Sequence, residues 1–239
     1  MTGAERPPSR GALRLAAGLL VAGDLLSLVA GALHPGREDP NAHAAVFAEY
    51  ADSAAWIAVH LGQFAGMALL IAGLLALDAA LRDRAGGRDW AARFGTAAAV
   101  AALALYGVLQ AVDGVALKHA VDAWAQAPAA EKAARFASAE VVRWLEWGTR
   151  SYQSFVFGLA LLLLGAAVVR TARVPGAVGY LMGASGLAYL VQGWVLGVEG
   201  FSAANTAPQL LGYLLILAWS LWLAVAAWRP GARGPRQEA

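Results

Sequence analysis

Residues 158–169 read GLALLLLGAAVV, an unbroken run of apolar residues and glycine that decides how this chain folds. Similar runs stand at 69–77 (LLIAGLLAL) and at 97–106 (AAAVAALALY). A helix needs about 20 mostly apolar residues to cross a bilayer. Six segments qualify, at residues 12–33, 54–80, 91–124, 138–170, 175–198 and 206–228. The sequence therefore predicts an all-α, polytopic bundle of six transmembrane helices.

The composition of the chain agrees with this prediction. Of its 239 residues, 59% are hydrophobic and 14% are charged, whereas a soluble domain carries about 25% charged residues. These values exclude a disordered chain and argue against a soluble domain. The absence of cysteine excludes disulfides, thiolate metal sites, iron–sulfur clusters and a cysteine nucleophile. The length fits a single membrane domain over residues 1–239.

The basic residues lie mostly on one side of the predicted bundle. The N-terminus, the 81–93 loop, the 170–174 loop and the C-terminus hold twelve of the 18 basic residues and, with Asp78 just before the 81–93 loop, five of the 16 acidic ones. Because short cytoplasmic loops are enriched in Lys and Arg, we expect both termini to be cytoplasmic. This distribution favours contact with anionic lipid and not with nucleic acid. The composition, rich in Ala, Arg and Gly, is typical of high-GC bacteria and predicts the bacterial cytoplasmic (inner) membrane.

The N-terminal segment also resembles a secretory signal. Arg6, Arg10 and Arg14 precede an apolar run, as the basic residues of a signal peptide do. However, the run is long for a signal, and Asp24 lies in its middle. We therefore interpret it as a retained first transmembrane helix.

Two loops on the side opposite the arginines are long. Residues 34–53 become helical in pattern from Asn41 onward. Residues 125–137 pass through Pro128 into the sequence AAEKAARFASAE, which reads as a helix start continuous with the fourth span. We expect short outer amphipathic helices at this end of the bundle.

Polar residues recur on one face of each predicted span. A helix turns about 100° per residue, so these faces can be assigned. The polar residues lie in the outer halves of the spans, whereas the inner halves are almost purely apolar. Because polar groups are costly in lipid, six helices polar at one depth predict a shared polar cavity. The candidate ligand-binding residues are His60, Gln63, Gln110, Asp113, Arg143, Glu146, Arg150, Gln153, Tyr189 and Gln192.

The two arginines in this set allow two interpretations. Arg143 and Arg150 could neutralise a bound anion, because guanidinium offers forked donors to carboxylate or phosphate. Alternatively, the cluster is a structural network. Glu146 lies one helical turn from Arg150 and could pair with it, while Asp113 or Asp24 could satisfy Arg143.

The chain has four histidines, at positions 34, 43, 60 and 119, all near the outer face. His60 could line the pocket, pack as a neutral ring, or ligate a metal or haem. We expect His34 and His43 in a solvated loop, with a weak surface zinc site as the alternative. His119 points away from His60 if its helix is continuous, although Gly114 could break that helix. Neither HxxxH nor HExxH occurs, so no metal ligands and no cofactor are assigned.

One stretch resembles a known kind of protein. Residues 174–183 read VPGAVGYLMG and are followed by GLAYL at 186–190. A short inner loop led by proline, opening a glycine-rich span, resembles multi-pass bacterial membrane proteins that are filed as domains of unknown function. Such families have no assigned catalytic residues, so the resemblance implies a membrane fold and no residue roles.

These observations favour a membrane protein that binds a small polar or anionic ligand, or a lipid head group, in the outer half of the bundle. One alternative is a membrane-embedded enzyme or a haem or metal redox protein that uses His60, Asp113 and Glu146. Another is a structural subunit of a larger membrane complex. No GxSxG elbow or phosphate-binding loop occurs, so no catalytic residue is assigned. The expected partners are the lipid bilayer and a small polar ligand or lipid.

Overall fold

The computed structural model describes residues 10–81, 89–171 and 173–229. Regular structure in these ranges is entirely helical, and a π-helical segment, Ala111–Leu117, joins α4 to α5. Six helical stretches are long and apolar enough to cross a membrane: α1, α3, α4 to α5, α6, α7 and α8. The helices are α1 (Arg10–Ala32), α2 (His43–Asp52), α3 (Trp56–Leu81), α4 (Trp90–Gln110), α5 (Lys118–Ala125), α6 (Lys132–Thr171), α7 (Gly176–Glu199) and α8 (Ala203–Trp228).

The predicted all-α fold with six long apolar helices is confirmed, and the helix ends refine it. α6 begins at Lys132 and runs without a break to Thr171, as the sequence before the fourth span indicates. α8 begins at Ala203, so Pro208 lies inside the helix and not at its start as predicted. A proline there removes one backbone hydrogen bond. The Asn205 side chain donates a hydrogen bond to Gln209 at 3.0 Å within the same turn.

The six long helices form a closed ring in which each packs against the next. The order around the ring is α1, α3, α4, α6, α7 and α8, and α8 returns to α1. Glycines allow the closest approaches between helices. A Cβ atom on either Gly165 or Gly179 would lie 2.6 Å from the carbonyl oxygen of the other, so only glycine permits this contact between α6 and α7. The glycine spacing therefore serves packing within the bundle.

The two ends of the ring differ in chemistry. One half is filled by apolar side chains such as Leu20, Leu74 and Leu161, which are at most 1% exposed. A second apolar cluster, centred on Phe47 and Val121, packs α2 and α5 against the start of α6. Between these two cores the helices present polar side chains to one another.

Arginines mark the end of the ring at which the described chain begins and ends. Arg14 donates a hydrogen bond to the Ala227 carbonyl at 3.3 Å and so links α1 to α8. Arg170 pairs with Asp89 at 2.9 Å and links α6 to α4. Arg10, Arg93, Arg173 and Arg229 also lie within the described residues. The remaining six arginines behind the predicted orientation lie outside them: Arg6, Arg82, Arg84, Arg88, Arg233 and Arg236.

Candidate functional site

A cavity of about 600 Å³ lies in the half of the ring away from these arginines. All six long helices line it, together with α2, the loop before α2 and the residues before α8. Its volume falls within the range of about 300–1,000 Å³ that is usual for small-molecule sites. Its wall combines polar side chains with apolar ones, such as Met67, Leu70, Leu109 and Ile216.

Seven of the ten candidate residues line this cavity. The other three are buried beside it. His60 contacts Asp113, with His60 Nε2 3.0 Å from the carboxylate oxygen Oδ2. Gln153 accepts a hydrogen bond from Arg150 at 3.4 Å, and Gln192 lies on α7 and is 1% exposed. The seven lining residues are Gln63, Gln110, Asp113, Arg143, Glu146, Arg150 and Tyr189.

Arg143 is held from several sides. Its Nη1 donates to Glu146 at 2.6 Å, and the two side chains are each 3% exposed. Its Nη2 donates to the Pro40 carbonyl at 3.1 Å. The guanidinium also lies over the rings of Tyr50 and Phe201, at 5.6 Å and 4.7 Å. Arg143 therefore fastens the loop before α2 and the loop before α8 onto α6.

The structural interpretation allowed Glu146 to pair with Arg150, and Asp113 or Asp24 to pair with Arg143, but Glu146 pairs with Arg143 instead. Both arginines lie within one helical turn of Glu146, so helix spacing alone does not choose between them. The Pro40 carbonyl and two aromatic rings hold the Arg143 guanidinium next to Glu146. Groups that are distant in sequence therefore determine which arginine pairs with Glu146.

Arg150 faces the cavity without an acidic partner. Its guanidinium donates to Gln153 at 3.4 Å and to the hydroxyl oxygen of Tyr213 at 3.5 Å, both long for hydrogen bonds. It also lies 5.8 Å from the ring centre of Tyr106. The residue is 9% exposed. None of the ion pairs found between described residues includes it.

His34, His60 and Asp113 converge at one edge of the cavity. One nitrogen or oxygen from each residue lies within 4.8 Å of the other two, and no other group of described His, Asp or Glu residues meets this spacing. Nδ1 of His34 lies 2.6 Å from the Pro35 carbonyl, and Nδ1 of His60 lies 2.7 Å from the Trp56 carbonyl. Since a carbonyl oxygen only accepts, both Nδ1 atoms carry hydrogen. A neutral ring then keeps a lone pair on Nε2.

Aromatic packing fixes the two imidazole rings. The His34 ring centre lies 5.2 Å from that of His60, 5.1 Å from Trp56 and 5.9 Å from Tyr50. The Trp56 ring lies 4.4 Å from His60 and 4.3 Å from Tyr50. The four rings form a continuous wall that joins the loop before α2, α2 itself and α3.

The π-helical segment brings Asp113 to this wall. Trp56 Nε1 donates to the backbone carbonyl of Asp113 at 3.1 Å, which ties the segment to α3. At the neighbouring Gly114, a Cβ atom would lie 2.7 Å from the His60 Cβ, so only glycine allows the approach. π-helical turns inside α-helices occur frequently at functional sites. Gly114 widens the helix here but does not break it.

His34 lies in a loop, as predicted, but its side chain is partly buried and not solvated, whereas His43 lies in α2 and not in a loop. His34 lies within the aromatic wall, and burial lowers its pKa against the opposing influence of the Asp113 charge. His43 packs with its Nδ1 2.9 Å from a carboxylate oxygen of Glu140. His119 is exposed on α5 and points away from His60, as expected for it.

A network of hydrogen bonds holds the loop before α2 over the cavity. The Glu49 carboxylate accepts from the backbone N–H groups of Arg37 and Glu38, at 3.1 and 3.3 Å. Burial acts to raise the pKa of Glu49, but these bonds and the Arg37 charge hold it below its usual value. The Asn41 side chain donates to the Glu199 carbonyl at 2.9 Å and so links the loop to the end of α7.

The sequence reasoning left several lining residues out of the candidate set. Tyr106 and Tyr213 contact the Arg150 guanidinium, and Asp24 and His34 also line the cavity. Each lies on a polar helix face, or continues one beyond the helix end. Helical phase could therefore have added all four residues.

Exposed residues of α1 and α8 are among those that line the cavity. They are Leu28, Gly31 and Ala32 on α1, and Thr206 and Tyr213 on α8.

Comparisons with models of protein families, with curated proteins and with solved structures found no match for this chain. No activity, ligand or residue role is therefore transferred from a relative.

Proposed function

We propose that this chain is a membrane protein that binds an anionic amphiphile, with the anionic group at Arg150. The observation that carries the proposal is the Arg150 guanidinium, which is 9% exposed, faces the cavity and has no acidic partner among the described residues. A buried charge without a partner is strongly destabilising. A phosphate or carboxylate would satisfy the forked guanidinium donors with two parallel hydrogen bonds.

The other charged groups in the cavity support this assignment. Glu146 is neutralised by Arg143 at 2.6 Å, and Asp113 lies against His60 at 3.0 Å. Arg150 instead lies beside the hydroxyl group of Tyr213 and the ring of Tyr106, and a tyrosine hydroxyl can also donate a hydrogen bond to an anion. Among the described residues that line the cavity, Arg150 is therefore the cation that remains free to bind the anionic group.

An amphiphile fits the cavity better than a fully polar molecule. Apolar side chains such as Met67 and Ile216 line part of the wall. Because the lining residue Leu28 is 44% exposed, we infer an opening toward lipid between α1 and α8. A ligand with its anionic end at Arg150 would extend its apolar part through this opening. The ligand-binding role extends to Gln63, Gln110 and Tyr189, which would orient the head group.

The proposal includes the orientation of the chain in a bacterial inner membrane, with both termini cytoplasmic and the cavity in the outer half. The absence of cysteine makes this directly testable. Two exposed positions at opposite ends of the ring are Ala44 on α2 and Arg229 after α8. In intact cells, a maleimide that does not cross membranes should label Ala44→Cys and not Arg229→Cys. The reverse pattern would refute the orientation.

The experiment for ligand binding is native mass spectrometry of the protein in mild detergent with added phosphatidylglycerol. We compare Arg150→Gln with the wild type and with Arg170→Gln, which removes an arginine that is 55% exposed and outside the cavity. A hydrogen bond to a charged group contributes about 1.5–3 kcal/mol. Arg150→Gln should therefore weaken binding by about 10-fold to 100-fold, and Arg170→Gln should leave it unchanged.

Two further ligands distinguish the sources of the anionic group. Phosphatidylcholine should bind more weakly than phosphatidylglycerol, because its head group carries no net charge. Inorganic phosphate that competes with phosphatidylglycerol would identify a free anion as the ligand. If Arg150→Gln binds phosphatidylglycerol as well as the wild type does, the proposal fails.

A further inference from the structure

We propose that His34, His60 and Asp113 form a binding site for a divalent transition-metal ion at the edge of the cavity. The three residues come from the loop before α2, from α3 and from the π-helical segment, and their candidate ligand atoms lie within 4.8 Å of one another. Two histidines with one carboxylate are a ligand set used for zinc and for non-haem iron. The site is separate from Arg150 and does not rest on the anion-binding proposal.

The hydrogen bonds of the two imidazoles prepare them for a metal. Metal-ligating histidines usually direct their second ring N–H to a carbonyl or a carboxylate. Here both Nδ1 atoms are directed to backbone carbonyls, those of Pro35 and Trp56, at 2.6 and 2.7 Å. Each Nε2 is thereby left as the atom with a lone pair to offer.

The spacing of the ligand atoms suits a metal after a small closure. With metal–ligand distances of about 2.1 Å, tetrahedral ligand atoms lie about 3.4 Å apart. Separations of up to 4.8 Å thus need side-chain shifts of about 1 Å or less toward a common centre. Three protein ligands leave a coordination position open, as in catalytic zinc sites. Because His34 and Asp113 line the cavity, the open position faces it.

Buried polar atoms without a hydrogen-bond partner also support a metal ion at this site. His60 Nε2 and Asp113 Oδ1 are buried and have no hydrogen-bond partner. Although Nε2 of His60 lies 3.0 Å from Asp113 Oδ2, the two groups are not aligned as a hydrogen bond. A cation between them would satisfy both residues. The aromatic wall around the rings supplies the apolar surroundings that exclude competing water.

The competing explanation is an ion pair between a protonated His60 and Asp113. That pair would need only these two residues and would leave His34 as a packing residue. The role of His34 therefore separates the two explanations. His43 and Glu140 provide a matched comparison, because they form a histidine–carboxylate contact at 2.9 Å without a third ligand.

The experiment is a zinc titration of the full chain in detergent after metal removal with a chelator. Bound zinc is counted by elemental analysis, and affinity is measured by calorimetry. We expect one zinc ion per wild-type chain and the same for His43→Gln. Loss of a metal ligand should weaken binding by more than the roughly 10-fold to 100-fold that loss of a supporting residue costs. We therefore expect His34→Gln and Asp113→Asn each to weaken zinc binding by at least 100-fold.

Substitution of cobalt(II) for zinc gives a readout that needs no variant. Coordination by the three residues should produce intense visible absorption bands, whereas solvated cobalt gives weak ones. A wild-type chain that retains no zinc and gives only the weak bands would overturn the proposal, even if a variant fails to fold. Zinc binding by His34→Gln equal to the wild type would also overturn it, in favour of the ion pair. Arg150→Gln should keep its zinc, so failure of the anion proposal remains distinguishable.

Discussion

Replacement of Glu146 by glutamine tests how strongly the buried ion pair on α6 stabilises the bundle. Glu146 and Arg143 are each 3% exposed and their charged atoms lie 2.6 Å apart. Glutamine keeps the size of the side chain but leaves the arginine charge buried without a counterion. Removing one partner of such a pair costs about 3–5 kcal/mol. For a chain of this size each kcal/mol lowers Tm by about 2–4 °C, so Tm should fall by about 6–20 °C.

The same helix provides a matched control. Arg135 and Glu131 form an ion pair at 3.2 Å, but their side chains are 53% and 54% exposed. Because exposed pairs contribute at most about 1 kcal/mol, Glu131→Gln should lower Tm by no more than about 4 °C. Thermal unfolding in detergent, followed by tryptophan fluorescence, measures both variants under one condition.

A double variant completes the test. Apolar replacement of both members of a buried pair is often neutral. Arg143→Met with Glu146→Leu should therefore recover part of the stability lost in Glu146→Gln, although it gives up the contact with the Pro40 carbonyl. The reasoning is refuted if Glu146→Gln and Glu131→Gln unfold at the same temperature, or if the double variant is less stable than Glu146→Gln.

Two other predictions concern the walls of the cavity. Gly114→Ala would place a Cβ atom 2.7 Å from that of His60, and such overpacking costs about 1–3 kcal/mol; Tm and zinc affinity should both fall, whereas Gly148→Ala, with open space around it, should change neither. The lowered pKa of Glu49 means that its stabilising contribution is present above its unfolded pKa and is lost as pH falls through the folded pKa. Amide exchange at Arg37 and Glu38 should therefore lose protection on acidification in the wild type, and a Glu49→Gln variant that keeps the same pH dependence would contradict this.

The six helices that are long and apolar enough to cross a membrane could be predicted from sequence, because consecutive residues determine them. Each contains enough consecutive apolar residues to cross a bilayer, and helix formation satisfies the backbone within the segment itself. The end of α6 at Thr171 differs from the predicted end by one residue. Its start, at Lys132, lies six residues before the predicted span, because a helix can continue into water, where its residues need not be apolar. Length and composition thus fix where a membrane helix passes through lipid, but not where it ends.

The pairing and backbone geometry within the site could not be predicted, because they depend on contacts between residues that are distant in sequence. Glu146 has an arginine within one turn on either side, and the Pro40 carbonyl selects Arg143. The π-helical turn at Asp113 depends on the close approach of Gly114 to His60 on another helix. His34 follows Ser27 by seven residues, which continues the polar face of α1 by two turns. Its position could therefore be predicted from the helical phase of α1, whereas its contacts with Tyr50 and Trp56 could not.

The distribution of unsatisfied polar atoms supports the proposed binding site over a purely structural network. In a purely structural network, buried polar groups would be expected to satisfy one another. Eleven side-chain atoms of the described residues are buried without a partner, and five of them belong to cavity-lining residues. Two more belong to His60, which contacts Asp113, and to Gln153, which contacts Arg150. The charges of Arg143 and Glu146 already neutralise each other, although Arg143 Nε is one of the five cavity-lining atoms. The bundle thus completes its structural ion pair and leaves unused hydrogen-bonding capacity around Arg150 and Asp113, which is the arrangement expected where a ligand and a cation are to be bound.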